Sequence, residues 1–392
     1  MTTLSLANYV TVTHNNSNRF SPEEIVKICK RKNNPKRDFL FVNPLQGKHL
    51  HVNPTKTFQL FDELVSAITD SVDPHERIIV IGFAETATAI GHYIASSLPN
   101  CIYYMQTTRE EIPSAKSLLE FQEEHSHATE QFLYGDISKL NDCDRIIFVD
   151  DEISTGNTVL NFIREVEKLG IHLAYGVASL LNWQDDAWAQ KFKDLNIDTY
   201  FVLKGKLKDL SAKVNVKPSE NTVVYPTFIP RPRVLLVKNS VSDFVKERTG
   251  AAPYNMHEFT KEIYSSVSYA LAGNMPDSDD AVLVLGTEEY MFTPMVFAKA
   301  LSEHVGVDVQ FHATTRSPIE TSEECDYAIR NRYPIASCYD SARDTNIYNL
   351  EKYDRVYIMT DVIPNCKFVE DISAALALAG CDIEKVIIIS MN

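Results

Sequence analysis

The 392-residue chain has no run of about 18 apolar residues, so no segment reads as a membrane-spanning helix. Its opening stretch, MTTLSLANYVTVTHNN, lacks the basic and apolar segments of a secretory signal, and a cytoplasmic protein is expected. No Cys-x-x-Cys pair occurs among its seven cysteines (29, 101, 143, 325, 338, 366 and 381), and an odd number leaves one over. Scattered reduced core thiols fit this pattern better than a disulfide or zinc framework. Positive charge is scarce as well: 38 lysines and arginines stand against 53 acids, a formal charge of −15. That balance argues against bulk nucleic-acid binding, yet a small phosphate ligand held by a local cluster of donors stays compatible with it.

What is present is a soluble globular composition, with 44% apolar and 23% charged residues. The length suits two ordinary domains, because single cores stop growing near about 250–300 residues. Three runs, RIIVIGF (77–83), CIYYMQTT (101–108) and RIIFVD (145–150), are apolar on both faces, as in a parallel sheet covered by helices. After Thr158, the apolar Val159, Phe162, Ile163, Val166 and Leu169 recur at helical spacing and Gly170 supplies a stop. AYGVASLLNW (174–183) reads as a further buried strand.

The second half repeats this order. AVLVLGTEEYMFTPMVFAKAL (281–301) resembles RIIVIGFAETATAIGHYIASSL (77–98), VQFHATTRSPI (309–319) resembles YYMQTTREEI (103–112), and the segment 355–380 resembles 145–170. Gly82 and Gly286 lie 204 positions apart, Thr108 and Thr315 207, and Arg145 and Arg355 210, a drift that small loop insertions explain. The expected fold is α/β: two tandem Rossmann-like domains with parallel sheets. The segment VKPSENTVVYPTFIPRPR (216–233), with four prolines, is the natural linker.

The stretch RIIFVDDEISTGNTVLNFI (145–163) sets an apolar strand against Asp150 and Asp151, then a Thr-Gly turn, then a helical pattern. In an open parallel sheet, ligands gather beyond the carboxyl ends of the strands, where helix N-termini supply free N–H groups. Gly156 lets the backbone approach a phosphate, Ser154, Thr155 and Thr158 add hydroxyls, and the paired acids suit sugar hydroxyls or a coordinated metal. One ligand carrying both a phosphate and a vicinal diol, a phosphorylated ribose, meets all of these features. An isolated acid-rich strand end before Ser-Thr is otherwise an ordinary helix cap.

This pattern resembles the phosphoribosyl pyrophosphate (PRPP) signature of type I phosphoribosyltransferases. A nearer resemblance is to the Ter-cluster-associated bacterial phosphoribosyltransferases, whose C-terminal domain is named for a Thr-Arg-Ser-Pro motif, found here as Thr315-Arg316-Ser317-Pro318. The resemblance covers the chain from about Asn34 onward. It implies a type I phosphoribosyltransferase fold with a degenerate second copy, divided as a transferase domain at 20–215, a linker at 216–233 and a TRSP domain at 234–392.

By the same resemblance, Asp150 and Asp151 contact the ribose hydroxyls and, through PRPP and water, a magnesium ion; Glu152 belongs to the same group. Ser154, Thr155, Gly156, Asn157 and Thr158 cradle the 5-phosphate. The loop GFAETATAIG (82–91) is where the family holds pyrophosphate, with backbone N–H groups of Ala84, Glu85, Thr86 and Ala87 and the hydroxyls of Thr86 and Thr88 as candidates. Glu85 suits magnesium or the base better than phosphate oxygen, the alternative being an acid at a helix start. Thr107, Thr108 and Arg109 end the next strand, and the Arg109 fork suits pyrophosphate oxygens unless it pairs with Glu110 or Glu111. The polar segment 110–135, with His125 and His127, corresponds to the loop that closes over PRPP in the family. Lys48, His49 and His51 are candidates for acceptor contacts, and Trp183 and Trp188 for stacking or core packing.

In the second copy Asp150-Asp151 becomes Thr360-Asp361, and Ser154–Thr158 becomes Pro364-Asn365-Cys366-Lys367-Phe368, so one acid survives and Phe368 is expected to crowd a phosphate. Thr314, Thr315, Arg316 and Ser317 persist as second-domain candidates. The expected activity is magnesium-dependent transfer of phosphoribose from PRPP to a base-like acceptor within nucleotide or nucleoside metabolism. The alternative is a non-catalytic regulatory protein that binds PRPP or a nucleotide. A PRPP synthetase also pairs two such domains, but it needs ATP and no P-loop is present. A homodimer is the candidate assembly; no membrane or bulk nucleic-acid partner is expected.

Overall fold

The computed structural model describes residues 4–6, 10–32, 38–112, 115–122, 130–168, 170–208, 214–219, 223–226, 229–237 and 247–391. The chain forms two compact units, and neither is one continuous stretch. The first gathers Met1–Pro22, Phe58–Lys208 and Lys246–Met256; the second gathers Glu23–Thr57, Asp209–Val245 and His257–Asn392.

At the centre of the first unit lie five parallel strands: β1 (Ile78–Gly82), β2 (Cys101–Thr108), β3 (Arg145–Ile153), β4 (Ala174–Asn182) and β5 (Ile197–Leu207). Their order across the sheet is β2-β1-β3-β4-β5, and four further strands extend the sheet to nine. All five residues of β1, Ile-Ile-Val-Ile-Gly, are buried, the composition expected of a parallel strand covered on both faces. Helices α1 (Thr88–Ser97), α2 (Asn157–Lys168) and α3 (Asp186–Asp194) belong to this unit.

The apolar stripe foreseen after Thr158 is the inner face of α2. Val159, Leu160, Phe162, Ile163 and Val166 are buried in one cluster with Ile79, Ile81, Ile146 and Phe148. Phe162 meets the rings of Phe148 and Phe83 edge-on at 5.2 and 6.2 Å, and each such ring contributes about 1.5–3 kcal/mol by leaving water. Leu169 lies outside the described residues, and Gly170 takes φ +77°, a left-handed helix stop.

Strand β3 runs farther than its apolar run suggests. Asp150 and Glu152 still lie opposite Ser179 and Leu181 of β4, and Ile153 opposite Asn182, so the acids are part of the strand and not of a loop beyond it. The outer edge of β2 takes Ala251, from the segment 246–256, through reciprocal bonds: Tyr104 N–H to Ala251 O at 2.8 Å and Ala251 N–H to Tyr104 O at 3.0 Å.

The second unit is built on β6 (Arg233–Leu236), β7 (Val282–Gly286), β8 (Val309–Ala313), β9 (Arg355–Thr360) and β10 (Val386–Ser390), all parallel, in the order β8-β7-β9-β10-β6. Helices α4 (Met256–Leu271), α5 (Phe292–Val305) and α6 (Cys366–Leu378) follow the order of the first unit's helices from α5 onward, after β7 and β9. Gly82 faces Val149 and Gln106, while Gly286 faces Met359 and Ala313, so the repeat read from sequence is a repeat of strand register. The outer edge of β8 takes Val52, through bonds of 2.9 and 2.8 Å with Phe311. The proline-bearing stretch runs along this unit, with Ser219 N–H bonded to Thr321 O and the Tyr225 hydroxyl to Pro334 O.

Candidate active site

The order β2-β1-β3-β4-β5 reverses direction between β1 and β3, and the crevice beyond that switch point is where an open parallel sheet receives its ligand. The loop after β1 and the carboxylates of β3 both open there. Thr86 ties them together: its hydroxyl donates to Asp151 Oδ1 at 2.8 Å. The peptide bond between Ala84 and Glu85 in this loop is cis.

Three consecutive carboxylates, Asp150, Asp151 and Glu152, end the strand, all half-buried. Asp150 Oδ1 accepts the Asp151 N–H at 2.9 Å, and Glu152 Oε2 accepts the Trp183 indole N–H at 3.2 Å. The Asp151 carboxyl lies deep among protein atoms although part of the residue meets solvent. That burial, followed by repulsion from Glu152, pushes its pKa up to about 6. Such a concentration of like charge favours a cation or hydroxyl donors. Among the described residues no group of three or more His, Cys, Asp and Glu is arranged to hold a metal ion, so a divalent ion here would need oxygens from a ligand.

The turn that follows has the opposite character. Ser154 is exposed and Thr155, Gly156, Asn157 and Thr158 are half-buried, while Val159 and Leu160 behind them are buried. Gly156 takes φ +73°, and a Cβ there would lie 2.3 Å from the Phe192 ring, so both backbone and packing require glycine. Thr155 Oγ1 accepts the Asn157 N–H at 3.3 Å, closing the turn at the start of α2.

The remaining candidates divide into lining and support. Thr107 and Thr108 are fully buried; Thr107 Oγ1 accepts the Ala84 N–H at 2.8 Å and Thr108 Oγ1 the Glu110 N–H at 3.0 Å. The Ala87 N–H is bonded to Phe83 O at 3.1 Å, and Ala84, Ala87 and Thr88 are buried. These residues hold the loop's shape. Glu85 is 5% exposed, and its Oε2 lies 3.7 Å from Nη1 of Arg109, whose side chain is 15% exposed, so Arg109 has an acid of the loop as an ion-pair partner.

The other sequence candidates have different surroundings. His125 and His127 fall outside the described residues. Lys48, His49 and His51 belong to the second unit, where the Lys48 ammonium donates to Glu288 O. Trp183 is buried against Gly205 and serves packing and the bond to Glu152; Trp188 carries Lys191 over its ring at 4.2 Å.

In the second unit the Glu288 N–H donates to Thr314 Oγ1 at 3.0 Å, the counterpart of the Ala84–Thr107 bond. Thr315 pairs through its backbone with Asn346, and its Oγ1 accepts the Ser317 N–H at 3.1 Å. Asn365 caps α6 by accepting the Phe368 N–H at 2.9 Å, and Phe368 is fully buried. It therefore packs in the core where crowding of a phosphate was expected, and the polar cap occupies the place of the Thr-Gly turn. Glu288, Ser337, Tyr339 and Arg343, which cluster here, were not singled out from sequence; Ser337, Tyr339 and Arg343 lie between the strands Arg332–Ala336 and Asp344–Tyr348, outside the segments whose sequences repeat.

Comparison with known proteins divides the chain by sequence, and each matched stretch takes in a segment that packs in the other unit. A phosphoribosyl transferase family model matches residues 25–205, and a model of the TRSP domain found C-terminal to it matches residues 246–376. No curated protein matches. Among solved structures, adenine phosphoribosyltransferase from Rhodothermus marinus is 18% identical, covering 46% of this chain and 95% of its own, with a TM-score of 0.33. The Trypanosoma brucei enzyme, solved with AMP, pyrophosphate and ribose-5-phosphate, is 16% identical, covering 56% and 97%, with a TM-score of 0.36. Orotate phosphoribosyltransferase from Aeropyrum pernix is 15% identical, covering 46% and 88%, with a TM-score of 0.29. It is the two family models that assign the protein: the chain belongs to the phosphoribosyltransferases that carry a C-terminal TRSP domain.

Proposed function

We propose that the first unit transfers the 5-phosphoribosyl group of PRPP to a nitrogen of a nucleobase-like acceptor, releasing pyrophosphate, with magnesium bound beside the substrate. The observation that carries this reading is the Thr86–Asp151 bond, which joins the loop after β1 to the acids of β3 across the switch point. A ligand with pyrophosphate on one side and ribose hydroxyls on the other spans those two elements. The Ser154–Thr158 turn then receives the 5-phosphate through backbone N–H groups and hydroxyls.

In the reaction the bond from the anomeric carbon to pyrophosphate oxygen breaks, a bond from that carbon to the acceptor nitrogen forms, and the acceptor's proton leaves. Positive charge develops on the sugar as pyrophosphate departs, and Asp150 and Asp151 are placed to favour it. Arg109, drawn from Glu85, neutralises pyrophosphate oxygens. A magnesium ion would be held beside Asp150 and Asp151 through substrate and water, and would supply further positive charge to the departing group.

The test is calorimetric titration of PRPP with magnesium on the wild type and on Asp150→Asn/Asp151→Asn, followed by assay of pyrophosphate release against a panel of bases. Binding lost in the variant, with release only when an acceptor is present, is the expected result. Binding without release for any base would favour the regulatory alternative. Absence of binding by the wild type would overturn the transferase assignment of this site.

A further inference from the structure

The second unit carries a polar cluster beyond the carboxyl ends of β7, β8 and β9 that packing alone does not require. Glu288 follows β7 and is fully buried. Its Oε2 accepts from Arg316 Nε at 2.7 Å and from Arg343 Nη2 at 3.2 Å, and its Oε1 accepts the Ser337 hydroxyl. Two guanidinium groups thus converge on one carboxylate oxygen. Their side chains keep 12% and 26% of their surface exposed, so the pair is fixed from below and reaches solvent above.

Beside them the Tyr339 hydroxyl donates to Asp361 Oδ1 at 2.7 Å and lies 2.9 Å from Thr287 Oγ1. Asp361, at the end of β9, holds the position that Asp151 holds on β3. Charge separates the two sites. The first unit sets Glu85, Asp150, Asp151 and Glu152 against Arg109, an excess of acid that calls for a cation with any phosphorylated ligand. In the second unit Arg316, Arg343 and the buried Lys48 balance Glu288, Asp361 and the buried Glu289.

We propose that this cluster is a second ligand site, for a sugar phosphate held without a metal ion. The oxyanion lies across Arg316 and Arg343, whose planar forks Glu288 orients in advance, and a sugar hydroxyl meets Asp361. The oxyanion does not use the start of α6, because Asn365 caps that helix and Phe368 is buried behind it. Ile363, 62% exposed beside Asp361 in sequence, offers an apolar lip for the body of the ligand.

The site is independent of the transfer reaction proposed for the first unit, and its test uses ribose 5-phosphate as probe in the presence of EDTA. Calorimetry on the full chain should show binding that persists in Asp150→Asn/Asp151→Asn and weakens about tenfold or more in Arg343→Gln, the loss of a charge-assisted contact. Asp361→Asn should reduce the preference for ribose 5-phosphate over inorganic phosphate. Near-ultraviolet circular dichroism checks the fold of each variant. Should Arg343→Gln unfold, Arg343→Lys, which keeps the charge but loses the fork, is expected to weaken binding as well. No binding in EDTA, or binding abolished by the Asp150/Asp151 variant and unchanged by the Arg343 variants, would overturn the proposal. PRPP titration with magnesium reads the first unit separately.

Discussion

Asp151 sits between a hydroxyl donor, Thr86, and a second carboxylate, Glu152, and its pKa of about 6 has a thermodynamic consequence. A carboxyl raised above its unfolded value of about 4 binds its proton more tightly in the folded state, so its contribution makes stability fall as pH rises between about 4 and about 6. Asp151→Asn should therefore flatten that part of the profile and raise the melting temperature of the ligand-free protein at pH 7.5 relative to wild type. An unchanged profile in melts at pH 4.5 and pH 7.5 would show that the burial penalty is already offset. Affinity for a magnesium-bound substrate should follow the opposite course, rising as pH passes through 6 and the proton is displaced. Gly156 is the other residue whose role follows from its surroundings. With φ +73° and Phe192 2.3 Å from a built Cβ, Gly156→Ala should destabilise by about 1–3 kcal/mol in thermal or urea melts. Adding Phe192→Leu should recover the steric share and leave the backbone share. Both stretches suggest sugar-phosphate chemistry, since acids and a Thr-Gly turn stand at a strand end, but neither the burial that raises the Asp151 pKa nor the Phe192 contact was legible, because both depend on packing against residues distant in sequence.

At the scale of elements, strands and helices emerged largely where hydrophobic pattern places them. The run 101–108 is β2 residue for residue, and α2 buries the stripe from Val159 to Val166. The run 145–150 stops three residues short of the end of β3, because Asp151 and Glu152 break the apolar pattern while β4 goes on supplying backbone partners as far as Ile153. A threonine at the end of β2, and another just after β8, hold the loops after β1 and β7: Thr107 accepts from Ala84 and Thr314 from Glu288. Thr107→Val keeps the shape of the side chain and leaves a buried N–H without its acceptor, an expected loss of about 1–3 kcal/mol with faster hydrogen exchange at Ala84. Thr314→Val should do the same at Glu288. Equal protection of these amides in wild type and variants would show that the hydroxyls are incidental. The repeated Thr-Thr-Arg motif is thus partly structural, and only its arginine turns toward charged partners in both copies.

For the whole molecule, the decisive feature is exchange of segments. The first unit contains Lys246–Met256, and the second contains Glu23–Thr57. A fragment ending at residue 215 would lose Ala251 from the edge of β2, and its complement would lose Val52 from the edge of β8 and the buried Lys48. Expressed alone, each fragment is expected to be less soluble and to melt lower than the full chain, and co-expression should restore both; fragments that fold separately with full-length stability would refute this. Composition and periodicity by themselves determined an α/β chain with a repeated topology, and pointed to one strand end as the candidate site, because local pattern and strand register are carried by neighbouring residues. Only the tertiary structure decided that the edge strands are supplied by distant segments, that Arg109 pairs with Glu85, and that Arg316 and Arg343 share Glu288. Those pairings depend on which backbone edges and charges meet in space, and partners so far apart in the chain leave no periodic signal in its sequence.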